Sequence, residues 1–176
     1  MRSTLFQWGL RVSLVEINTF ARCRAMREVY DRVWLLDRSE EPTASSATSN
    51  IRAIVNLSPT TPNTIADRCH RVPDATPVSE GTSPSDRGYD AAARFIHERW
   101  LDGVSHVAVH CNSGFQRSIP FLAHYLELYH GVPIEATVEA ALGEPCADYA
   151  AAVCHILGKA ASACLLTNPH LGHLVT

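Results

Sequence analysis

The stretch VAVHCNSGFQRSIPFLAHYL, Val107 to Leu126, decides how this chain is read. It starts as a β-branched apolar run, reaches His110-Cys111, crosses a short polar loop and leaves through Arg117-Ser118 into a helical segment. A loop that feeds a helix N-terminus gathers backbone N–H groups into one concavity, and the helix dipole adds partial positive charge there. The same field that binds an anion also favours a thiolate, so Cys111 stands where a thiol loses its proton easily. Gly114 lets the backbone bend without a Cβ in the way of the anion. Arg117, six residues beyond the cysteine, can curl back and fork onto two phosphate oxygens. Ser118 can offer a hydroxyl to the sulfur or cap the helix, and His110 adds hydrogen bonding beside it. Asn112, Ser113, Gly114, Phe115 and Gln116 would supply backbone N–H groups, and Phe115 could also form part of the rim. The arrangement suits phosphoryl transfer to sulfur followed by hydrolysis.

Around this segment the chain alternates strands and helices. "RVWLL" (32–36), "IRAIVNL" (51–57), "RCHRV" (68–72) and "HVAVH" (106–110) read as strands. "RGYDAAARFIHERWL" (87–101) has helical apolar spacing, with Asp86 at the N-cap position and Gly103 ending the turn. "RSIPFLAHYLELYHG" carries Pro120 in its first turn and Gly131 at its end. "PIEATVEAAL" and "ADYAAAVCHILGKAASA" read as two further helices. The pattern predicts an α/β fold: a central, mostly parallel twisted sheet flanked by helices in one compact domain. "VEINTFARCRAMREVY" (15–30) has helical spacing, so residues 1–27 read as an N-terminal extension, 28–165 as the domain and 166–176 as a tail.

Bulk properties exclude several classes. At 176 residues the chain suffices for one well-buried domain, and 46% hydrophobic with 19% charged residues is ordinary for a globular protein. The net charge of -3 provides no electrostatic footprint for nucleic acid or an anionic membrane. No run is apolar and long enough for a membrane span, and Arg11 and Glu16 interrupt any signal-like segment. The 6 cysteines show neither a disulfide framework nor a zinc-type pair, so a reducing intracellular compartment is expected. Cys154 and Cys164 read as small buried hydrophobes in an alanine-rich helix.

"VHCNSGFQRS" resembles the H-C-x-x-G-x-x-R-S loop of cysteine-dependent protein phosphatases, particularly the compact dual-specificity group. "EVYDRVWLLDRSEE" is similar to that group's opening strand. "IRAIVNLSP" is similar to its I-x-x-V-x-N-L/V strand, and "AARFIHERWLDGVSHVAVHC" to the helix and strand before the loop. The resemblance implies a phosphatase acting on phosphotyrosine and phosphoserine/threonine through a phosphocysteine on Cys111, with no cofactor and no metal. It also implies an aspartic acid on an upstream loop that protonates the leaving group. Asp74 in "RVPDAT" fits best, Asp86 is the competing candidate, and Glu80 is the wrong residue type. Gln116 departs from the small residue usual before the arginine; it could crowd the pocket or position water. Cys69 raises the question of a protective disulfide with the nucleophile, as some relatives use, against a plain buried cysteine.

Other substrates fit the same chemistry: an RNA 5′ end, which the negative charge disfavours, or a phosphoinositide, disfavoured because no basic residue lies between Cys111 and Arg117. A phosphoprotein-binding module without turnover is the reading from a different class. A rhodanese-type phosphatase fits the glycine placement and upstream segments less well. The expected partners are a phosphoprotein substrate and phosphate or another oxyanion in the loop. A homodimer through residues 1–27 competes with packing of that segment on its own domain.

Overall fold

The computed structural model describes residues 26–40, 50–58, 69–72, 88–112 and 114–159. Residues 1–25, Ser113, Asp74, Glu80, Asp86 and Cys164 lie outside the described residues. The strands are β1 (Arg27–Tyr30), β2 (Val33–Leu36), β3 (Ile51–Asn56), β4 (Cys69–Arg71) and β5 (His106–His110). The helices are α1 (Tyr89–Trp100), α2 (Ser118–His130), α3 (Ile134–Leu142) and α4 (Ala147–Ile156).

The strands form one sheet in the order β1-β2-β5-β3-β4. β5 lies at its centre, parallel to β2 on one side and to β3 on the other, and β4 adds parallel to β3. Only β1, joined to β2 by a tight turn, runs antiparallel among the described strands. The expected mostly parallel α/β fold is therefore what the chain adopts.

Period-2 alternation divides the side chains between the two faces. Val33, Leu35, Ala53, Val55, Val107 and Val109 share one cluster with buried residues of all four described helices. Leu36, Ile51, Ile54 and Ala108 form a second cluster, against which Trp34 packs. Both sets are buried, which explains why these strands read as continuous apolar runs. α2 contributes Ile119, Phe121, Leu122, Tyr125 and Leu126, all fully buried. Each such side chain stabilises the fold by about 1.5–3 kcal/mol relative to exposure.

Three readings need correction. The helical spacing of residues 15–30 does not carry through to its end, because Arg27–Tyr30 is a strand. Its register, Arg27 opposite Leu35 and Tyr30 opposite Val33, shows why: a hairpin with an apolar central strand outweighs weak local periodicity. Asp86 is not the cap of α1; the N-cap is Gly88, at φ 72, without any side-chain capping bond. Cys154 is not a free thiol packed as a small hydrophobe but is disulfide-bonded. Among the described residues, no helix is long and apolar enough to cross a membrane.

Candidate active site

The C-terminal ends of parallel strands in an open α/β sheet form the usual ligand crest, and Cys111 sits directly after the central strand. The crest is fastened before the loop begins. The Leu57 N–H donates to the His110 carbonyl at 2.9 Å, and the Val72 N–H donates to that of Asn56 at 3.1 Å. Asn56 is fully buried, and its Oδ1 accepts the Ser58 N–H at 2.8 Å. The Ser58 hydroxyl then donates to Oδ1 of Asn112, the first residue of the loop after the cysteine. The end of β3 thus holds the start of the phosphate-type loop through side chains.

Cys111 is 1% exposed, and its neighbour His110 is fully buried. The His110 ring brings Nδ1 to 3.4 Å from the Cys111 carbonyl, so it braces the backbone that carries the sulfur. Gly114 takes φ 75, a left-handed conformation. A Cβ there would stand 3.1 Å from the Leu36 carbonyl oxygen, so the loop lies directly against the end of β2. Phe115 is partly buried against the main core, whereas Gln116 is exposed.

The far end of the loop becomes α2. Arg117 is its N-cap residue, and no side chain caps the helix, so Ser118 does not fill that role. The Ile119 N–H donates to the Phe115 carbonyl at 3.1 Å and the Phe121 N–H to that of Arg117 at 3.2 Å, extending helical bonding back into the loop. The buried Arg117 Nε has no hydrogen-bond partner among the described residues, nor does the buried Ser118 hydroxyl. Accordingly, the bond expected from Ser118 to the Cys111 sulfur is not formed here. Buried donors of this kind normally have partners. An oxyanion held by Arg117, with a sulfur whose charge changes during reaction, would supply them.

Tyr149 of α4 reaches the same loop. Its hydroxyl donates to the Phe115 carbonyl at 3.3 Å. Burial keeps this phenol well above the usual tyrosine range, and the adjacent Cys111, Cys146 and Tyr89 push it the same way.

The structure therefore brings His110, Cys111, Asn112, Gly114, Phe115, Gln116, Arg117 and Ser118 onto one strand–loop–helix unit, as the spacing predicts. The acid candidates Asp74 and Asp86 fall outside the described residues, as does the side chain of Cys69. Sequence reasoning assigned no role to Ser58, Leu36 or Tyr149. A buried asparagine at the end of an apolar strand was the available signal for Asn56. Among the described residues, no group of three or more His, Cys, Asp or Glu side chains could hold a metal.

No protein-family model matches the chain, and no curated protein matches it in sequence. Solved structures do match its fold, which is that of the dual-specificity phosphatases. Human DUSP28 is 17% identical with a TM-score of 0.54, over 76% of this chain and 93% of its own. DUSP15 is 17% identical with a TM-score of 0.57, over 77% and 86%. The human tyrosine phosphatase-like serine/threonine/tyrosine-interacting protein is 18% identical with a TM-score of 0.52, over 77% and 94%.

Proposed function

We propose that this protein is a protein phosphatase that hydrolyses phosphotyrosine and phosphoserine/threonine esters by way of a phosphocysteine on Cys111. The observation that carries the reading is the single loop that starts at the nearly buried Cys111 and ends at Arg117, whose Nε is buried and open to an acceptor. The likeness in fold to protein phosphatases supports it.

In this mechanism the loop N–H groups and the Arg117 fork bind the three non-bridging oxygens of the phosphoryl group. The Cys111 sulfur lies in line behind phosphorus, so an S–P bond forms as the ester P–O bond breaks. The departing oxygen takes a proton from a carboxylic acid, for which Asp74 is the proposed donor and Asp86 the competitor. Water then attacks phosphorus, giving its proton to that carboxylate. The S–P bond breaks, inorganic phosphate leaves and sulfur regains its negative charge. The Ser118 hydroxyl, without a partner among the described residues, would donate to the sulfur as that charge returns. Loop N–H groups, arginine and acid supply every charge and proton required, so turnover is expected to persist in chelator.

Hydrolysis of a chromogenic aryl phosphate by wild type and Cys111→Ser at mildly acidic pH tests the proposal. Activity that vanishes in the variant supports it, and activity that survives removes the mechanism. A wild type that binds tungstate but turns over neither aryl nor peptide phosphates is a phosphoprotein-binding module instead.

A further inference from the structure

The phosphate-type loop is fastened from a direction that its own sequence does not reveal. The Phe115 carbonyl accepts two hydrogen bonds: one from the Ile119 N–H at 3.1 Å and one from the Tyr149 hydroxyl at 3.3 Å. These use both lone pairs of that oxygen. The bond from Ile119 is an i+4 to i helical bond, so the carbonyl points along α2 toward its C-terminus. In a planar trans peptide the N–H points opposite to the C=O, and no described peptide is cis. The Gln116 N–H therefore projects backwards, out of the N-terminus of α2. That is the direction from which an anion meets the loop.

We propose that Tyr149 is a positioning residue for the phosphate loop: its hydroxyl fixes the Phe115–Gln116 peptide so that the Gln116 N–H faces the bound oxyanion. The inference rests on the phosphatase reading above. The Tyr149 hydroxyl bonds the peptide carbonyl, and it acts on the anion through that peptide. Gln116 explains why an outside tether is useful. Its long side chain is exposed, and Gly114, two residues earlier, has no Cβ to limit backbone rotation. The second bond stops the peptide from flipping its carbonyl toward the anion, where it would repel charge. Burial keeps the Tyr149 hydroxyl protonated, so the donor persists across the working pH range.

Tyr149→Phe retains the ring and removes only the donor. Tungstate affinity, measured by titration calorimetry, is expected to fall about three- to tenfold, the loss of one ordinary hydrogen bond. With an aryl phosphate, kcat is expected to fall more than KM rises. A Kd belongs to each folded molecule, so a smaller folded fraction alone does not move it. Unchanged tungstate affinity and unchanged kcat in a folded Tyr149→Phe protein overturn the inference and leave the phosphatase reading intact. A wild type that binds no tungstate overturns both. Hydrogen exchange on the wild type gives a test independent of the variant: saturating tungstate is expected to slow exchange of the Gln116 amide, and an unaltered rate overturns the inference.

Discussion

The carbonyl oxygen of Leu36 lies 3.1 Å from where a Cβ on residue 114 would stand, so the end of β2 and the middle of the loop are in backbone contact through glycine. With φ at 75, Gly114 is constrained twice, by conformation and by space. Gly114→Ala is expected to cost about 1–2 kcal/mol from the left-handed conformation alone. The crowded carbonyl adds to that by pushing the loop off β2. Thermal unfolding and tungstate titration check this: Tm falls, and oxyanion affinity falls with it.

Arg117 and lysine carry the same charge but not the same geometry. A lysine ammonium cannot span two phosphate oxygens as a planar fork does. Arg117→Lys is expected to lower kcat/KM by about 10²-fold or more, the usual effect of losing a positioned donor to transition-state charge. Steady-state kinetics on an aryl phosphate gives the value, and retention of full activity would show that the guanidinium does not hold the phosphoryl group.

The leaving group discriminates between the acid candidates. Asp74→Asn is expected to depress hydrolysis of an alkyl phosphate far more than that of an activated aryl phosphate, whose oxygen departs with little protonation. If the two substrates respond alike, while Asp86→Asn separates them, the acid is Asp86.

Acid should weaken the fold through the aromatic corner where α1 and α2 meet. His97 stacks on Tyr129 at 4.1 Å, and His130 lies 4.5 Å from Trp100 with its Nε2 3.0 Å from the Tyr125 hydroxyl. Burial lowers both imidazoles below 6.5; for His130 the neighbouring His97 acts in the same direction and Asp31 against it. The folded state thus resists protons that the unfolded chain accepts. Stability is complete above the ordinary imidazole value and declines as pH falls through 6.5 toward the depressed folded values. Tm measured across this window should drop on acidification, and His97→Gln should flatten the slope.

The central unit was legible because each level of the sequence agreed: a β-branched run, a glycine loop and an apolar helix ended by Gly131 give strand, loop and helix in turn. Arg27–Tyr30 was not legible by periodicity, since two charged residues followed by two apolar ones match neither period and only the hairpin partner decides. The start of α1 was misread because a good capping residue stood two positions before the glycine that fills the cap. The Tyr149 contact joins residues 34 apart in sequence, and no periodicity encodes a bond from one helix to another element's carbonyl.

The order in which strands are laid down has its own consequence. β5 pairs with Val33–Leu36 and Ile51–Asn56, both made earlier, while Tyr149 comes much later. On a translating ribosome the seat for the cysteine can close as soon as β5 emerges, but the loop is squared only when α4 has followed it out. A nascent chain stalled between the two would display the thiol without the trimmed cradle around it.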